Sequence, residues 1–139
     1  MKKFIITRNT VAIESLKALG QYHGIGARSS FEGIVRDTND GHKVRKLEYE
    51  CYESLAVKEG DNILDEAIKK FGLINACCIH RVGSLEIGDT AVIVLATSGH
   101  RDESFKGCRY IIDQVKQRVP IWKKEYYLDG ESEWLKSAG

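Results

Sequence analysis

The chain alternates between two hydrophobic periods, and the changes of period mark its elements. "KKFIITR" (2–8) reads as a short strand. A helix is expected from Thr10 to about Tyr22, capped by Asn9 or Thr10, with Leu16 and Leu19 facing inward. Two glycines in "HGIGA" (23–27) end it. Two strand-like runs follow, 27–36 and 44–52. In the second, Val44, Leu47, Tyr49 and Cys51 oppose Lys46, Glu48 and Glu50, with one slip in the alternation. Between the runs, Asn39-Asp40-Gly41 is a hairpin signal, which predicts that the two strands pair.

The next helix, 54–71, carries Val57, Leu64, Ala67, Ile68 and Phe71 near a 3.6 period and has Gly72 as its C-terminal cap. Gly60 inside it is unfavourable by about 1 kcal/mol relative to alanine. Strands are expected at 75–83 and 89–98, the latter apolar enough to be central, with a short strand and turn at "LEIGD" (85–89). A last helix, 101–118, stacks Phe105, Cys108, Ile111, Ile112 and Val115 on one side until Pro120 stops it, and a polar tail follows. This order predicts an α+β fold, a single domain over 1–139, with a largely antiparallel sheet and about three helices. A doubly wound parallel sheet fits less well because of the 27–52 hairpin.

Charge narrows the function classes. Twenty-one Lys and Arg stand against 20 Asp and Glu, a net of +1. That balance argues against general nucleic-acid binding, which draws on excess positive charge, so a cationic site has to be local. The longest apolar run, Ala91 to Ala96, is far short of the roughly 20 residues of a membrane-spanning helix. "MKKFIITRNT" lacks a signal-peptide core, and a cytoplasmic protein is expected. Cys51, Cys77, Cys78 and Cys108 form no CxxC pair, and adjacent Cys77 and Cys78 would point to opposite faces of a strand. They read as buried thiols; only Cys108, near Lys106 and Arg109, has a case for reactivity.

Candidate chemistry gathers late in the chain. "VKQRVPIWKKE" (115–125) surrounds a Pro-Ile-Trp turn with Lys116, Arg118, Lys123 and Lys124. Lys116, in the last helical turn, flanks the buried stripe, so its stem can follow apolar surface while its ammonium reaches a cleft. Lys123 follows Trp122, whose indole can exclude water from one side of a site, although tryptophan is more often a core residue. "SGHR" puts His100 and Arg101 at the opposite end of that helix, where free N–H groups favour anions. That end lies about 25 Å away, so one small ligand reaches both ends only with a second subunit, an elongated shape or a chain that folds back. Arg36 and the pair His80-Arg81 close strands; His80 reads as a satisfied inner histidine. Terminal-turn cations such as Arg118, and Lys124 beyond it, also fit a purely structural role.

Together, "VPIWKKE" with upstream "VKQR", "TSGHR", "IHRVG" and "FEGIVRDTNDG…LEYECYESLA" resemble the large, catalytic subunit of molybdopterin synthase over roughly 27–135. The resemblance implies an α/β-hammerhead fold and a sulfurtransferase. Such enzymes convert cyclic pyranopterin monophosphate (precursor Z) to molybdopterin. The two sulfurs come from the C-terminal Gly-Gly thiocarboxylate of a small ubiquitin-like sulfur-carrier subunit. It implies a central homodimer within a heterotetramer, and a reaction with no cofactor and no bound metal. By motif, Lys116 and Lys123 correspond to the functional lysines, and Arg36, His100 and Arg101 to the pterin and phosphate pocket. Phe31 and Trp122 correspond to the wall around the carrier tail. Leu55 stands where relatives more usually carry Met, and the tail "LKSAG" is short, with Lys136 as its basic residue. Two other readings remain: a non-catalytic scaffold for the carrier, and a small anion- or RNA-binding module.

Overall fold

A computed structural model describes residues 1–19 and 22–136. Three helices are present among these residues: α1 (Ile13–Leu19), α2 (Glu53–Phe71) and α3 (Arg101–Arg118). The strands are β1 (Lys2–Thr7), β2 (Ala27–Ile34), β3 (Thr38–Asn39), β4 (His42–Cys51), β5 (Asn75–Arg81), β6 (Gly83–Glu86), β7 (Thr90–Ser98), β8 (Ile121–Tyr127), β9 (Gly130–Glu131) and β10 (Leu135–Lys136). The fold is α+β and mostly antiparallel, and β1 with β5 is the one parallel pair among the described strands.

The strands form two sheets rather than one. Four lie in the order β1-β5-β7-β2; six form the other, β10-β8-β4-β3 with β6 on β4 and β9 on β8. The first sheet is covered on both faces, which is why β5 and β7 are buried almost throughout. Leu16 of α1 packs with Cys77, Ile79, Ile93 and Leu95 on one face. On the other face, Ile63, Leu64 and Ala67 of α2 and Ile111 and Val115 of α3 join Cys78, Val92 and Val94. Cys77 and Cys78 therefore do point to opposite faces, and all four cysteines are free.

Several expectations are revised. α1 begins at Ile13 rather than Thr10; the side chain of Leu19, together with Gly20 and Gln21, lies outside the described residues. Strand β2 does not pair with β4. It pairs antiparallel with β7, while the Asp40-Gly41 turn joins β4 to the two-residue β3. Asp40 and Gly41 both have positive φ, 49° and 81°, as a tight two-residue hairpin requires. The turn signal was real, but the strand it serves is β3. Phe105 is 63% exposed, because Ser104 and Gly107 occupy the inner side of α3 beside Cys108. The polar tail after Pro120 is a seven-residue strand, β8, bonded along nearly the whole of β4.

Two features place the site. Gly72 ends α2 in the left-handed conformation, φ 64°, returning a hydrogen bond to Ile68. At the end of α3, Val119 turns to an extended conformation and Pro120 feeds the chain directly into β8. The last turn of α3 and the first half of β8 thus converge, bringing Lys116 and Lys123 onto one cavity.

Candidate active site

A cavity of about 420 Å³ opens between the two sheets. One wall is β2 and the turn after it, from Phe31 to Arg36; the other comprises Val44, Leu47 and Tyr49 of β4 with Lys123 and Glu125 of β8. Ala91 and Val92 of β7 line it as well, and Lys116 enters from α3. Four of the seven residues singled out by motif therefore share this cavity: Phe31, Arg36, Lys116 and Lys123.

The other three lie elsewhere. Trp122 is 44% exposed and alternates with Lys123 along β8, so its indole faces away from the cavity and does not wall it. His100 is the N-cap residue of α3, without a side-chain capping bond, and Arg101 is the first residue of that helix. A rise of about 22 Å along the axis separates Arg101 from Lys116, and neither His100 nor Arg101 lines the cavity.

Lys116 is partly buried in the final turn of α3. Burial, reinforced by the neighbouring Lys123 charge, lowers its pKa; a thiolate at Cys78 would act the other way. Lys123 is 20% exposed and stands 3.3 Å from Glu125 Oε1. Glu125 is the residue that the sequence reading missed. It is 3% exposed, yet its carboxylate is fully engaged. Asn39 Nδ2 donates to both oxygens at 3.0 and 2.8 Å, and the Tyr127 hydroxyl donates to Oε2 at 2.7 Å. Burial alone would raise the Glu125 pKa, but the bonds from Tyr127 and Asn39 and the Lys123 charge outweigh it and hold it below the usual value.

Beside the cavity lies a neutral histidine. His80 is 1% exposed, donates from Nδ1 to the Arg81 carbonyl at 2.7 Å, and meets the Tyr49 ring edge-on at 5.0 Å. Burial pushes its pKa down to about 4; the Arg81 bond opposes this and the Lys116 charge adds to it. Tyr49 is likewise kept as a neutral phenol, its pKa raised to about 12 by burial and by the Glu125 charge. Cys108 is buried, and burial lifts its thiol to about 11, which removes its case as a nucleophile. Among the described residues no cluster of His, Cys, Asp and Glu is arranged to hold a metal ion.

The cavity thus presents three cations, Arg36, Lys116 and Lys123, with a carboxylate behind one of them. It suits an anionic ligand that develops further negative charge. The family model described as MoaE protein matches residues 6–118, and the chain belongs to that family. A molybdopterin synthase catalytic subunit of Pyrococcus abyssi is 43% identical over 119 residues, covering 86% of this chain and 80% of the relative. One from Bacillus subtilis is 37% identical over 135 residues, covering 97% and 85%. The crystal structure of a molybdopterin synthase from Staphylococcus aureus superposes with a TM-score of 0.89 at 37% identity, over 96% of this chain and 97% of that one. The fold also recurs, at 21% identity and a TM-score of 0.72, in a complex of subunits 1 and 2 of molybdopterin-converting factor from Helicobacter pylori, over 98% and 89% of the chains.

Proposed function

We propose that this cavity is where sulfur passes from the C-terminal thiocarboxylate of a small ubiquitin-like carrier to cyclic pyranopterin monophosphate. The chain acts as the catalytic subunit of a molybdopterin synthase, a sulfurtransferase of molybdenum cofactor biosynthesis. The observation that carries this reading is the meeting of Lys116, Lys123 and Arg36 in one hollow, on a chain whose net charge is only +1. Both reactants are anions, one a cyclic phosphate and one a thiocarboxylate.

The chemistry assigns a role to each group. The carrier's thiocarboxylate sulfur attacks an oxygen-bearing side-chain carbon of the pterin. A carbon–sulfur bond forms as a carbon–oxygen bond at that carbon breaks, the oxygen staying with the phosphate at the ester carbon or leaving as water once protonated at the other. The carrier remains attached as a thioester. Water then adds to the acyl carbon, and the carbon–sulfur bond to the carrier breaks. The sulfur stays on the pterin, and the carrier leaves as a carboxylate. Repetition with a second carrier completes the dithiolene. Lys116 neutralises the incoming tail and stabilises the acyl oxyanion through its ammonium protons. Lys123 and Arg36 hold the pterin and its phosphate, Arg36 with the planar fork that suits such oxygens. Phe31, 41% exposed on β2, borders the channel for the glycine tail.

His100 and Arg101 enter through a second copy of the chain. Their distance from Lys116 along α3 keeps them out of their own subunit's cavity, and a homodimer supplies them from the partner. The carrier subunit then makes the assembly a heterotetramer, and the two-subunit Helicobacter pylori complex supports such a partner.

The test is reconstitution. Purified protein, a thiocarboxylated carrier and the pterin precursor are mixed, and the pterin mass is followed for two sulfur additions. Wild-type chain should give both, and Lys116→Ala should lose about 100- to 1,000-fold in rate, the usual effect of removing one oxyanion donor. Binding of the carrier without any sulfur addition would identify a scaffold instead.

A further inference from the structure

We propose that Asn39 and Tyr127 are positioning residues: acting through the buried Glu125 carboxylate, they fix where the Lys123 ammonium stands in the cavity. The catalytic consequence rests on the sulfur-transfer reading above; the geometry does not. Lysine carries a point charge on a flexible four-carbon stem, so its own backbone does not set the position of Nζ. Something else has to hold it. Lys123, Glu125 and Tyr127 alternate onto the same face of β8, and the Lys123 ammonium meets Glu125 Oε1 at 3.3 Å.

Glu125 would be a poor anchor if it were free to turn. Asn39 prevents this by donating to both carboxylate oxygens, and Tyr127 adds a third bond at Oε2. The strand backbone is pinned at the same residue: Glu125 N donates to Ser132 Oγ and Ser132 N donates to Glu125 O, each at 2.8 Å. Asn39 is itself fixed as the last residue before the Asp40-Gly41 turn. Three bonds from two residues therefore define one plane and one orientation for the carboxylate. Lys123 docks on that orientation, and an ångström of drift at a reacting charge is enough to slow a reaction severely.

Tyr127→Phe and Asn39→Ala remove these donors while leaving Lys123 and Glu125 in place. Tyr127→Phe retains the ring that stacks on His42 at 5.0 Å, so folding should survive. Each variant should lower kcat/KM for the pterin about tenfold, the usual scale for one hydrogen bond to a charged group, with at least part of the loss in KM because Lys123 holds the pterin. In a Glu125→Gln background either substitution should add less than about twofold, because both act through that carboxylate. An independent readout needs no turnover: nitrogen relaxation of the Lys123 ammonium should report greater disorder in both variants. Tenfold losses that persist in the Glu125→Gln background, a pterin KM left unchanged in both variants, or unaltered Lys123 order would each overturn the proposal. A wild-type chain that transfers no sulfur would remove the function alone, and the ammonium relaxation would then decide the positioning role by itself.

Discussion

Gly60→Ala should destabilise the protein, although helix propensity predicts the reverse. In the middle of an exposed helix this change gains about 1 kcal/mol. Here Gly60 is a buried residue of α2, and a Cβ on it would fall within 3.0 Å of three carbons of the Phe4 ring, closer than real Cβ atoms come. Phe4 has little room to yield. It is 6% exposed, and β1 is held in register by its pairing with β5, where Phe4 lies opposite Cys78. Overpacking of this kind costs about 1–3 kcal/mol, and a stiff aromatic ring on a pinned strand places it at the upper end. Against the propensity gain, the net loss should be about 2 kcal/mol, a fall in Tm of roughly 6–8 °C for a chain of this size. Calorimetry with chemical denaturation measures both. The diagnostic arm is Phe4→Leu, which removes the ring. Combined with Gly60→Ala, its loss should be smaller than the sum of the single losses by more than about 1 kcal/mol. A rise in Tm for Gly60→Ala, or strict additivity of the pair, would refute the packing argument. Neither residue lines the cavity, so turnover below the lowered Tm should be unaffected.

Because Lys116 works protonated and its pKa is lowered by burial and by Lys123, turnover should fall with rising pH at a midpoint below the ordinary lysine value of 10.5. A rate that stays flat to that pH would refute the role. Bonds from Arg118 and Tyr110 outweigh slight burial and hold the Glu66 carboxyl down at about 2, below its ordinary 4.5, so this stabilisation is present above pH 4.5 and is lost as pH falls towards 2. Since the Glu66 side chain is 41% exposed, Arg118→Gln should cost only about 1 kcal/mol at pH 7 by urea denaturation, and much less at pH 2; equal losses would refute it. Lys124 pairs with Glu131 at 3.1 Å on the opposite face of β8, so Lys124→Ala should leave turnover within about twofold, and a large loss would mean that the lysine roles are misassigned.

The elements legible in the sequence are those whose pattern comes from burial alone. α2 and α3 bury one stripe each and end at Gly72 and Pro120, and their limits follow from those residues. The slip noticed between Val44 and Leu47 is a β-bulge, the irregularity in the β4–β8 register between Val44 and Lys46. β8 was hidden by the cavity it borders. Its inward positions are Ile121, Lys123, Glu125 and Tyr127, polar at two of the four because they border a cavity rather than a core. A reader of "IWKKEYY" expects the charges outside. Glu125 was lost with the strand, although counting by twos from Lys123 would have found it. The exchange of β4 for β7 as the partner of β2 has another cause: a turn signal states where the chain reverses, not which strand receives it.

The two lysines of the cavity stand in different electrostatic settings. Lys123 faces a carboxylate that is itself held by two neighbours, an arrangement that gives its side chain a fixed partner. Lys116 occupies the last turn of α3, where the helix dipole also favours a cation. Its pKa is lowered by burial and by the repulsion from Lys123. His80 keeps the balance from tipping further. With Nδ1 committed to the Arg81 carbonyl and its pKa near 4, it adds no positive charge beside Lys116 at neutral pH. A charged histidine there would add to the repulsion on Lys116 and push its pKa down further. A neutral His80 and an anionic Glu125 thus limit the repulsion where a nearly neutral chain gathers Arg36, Lys116 and Lys123 in one hollow.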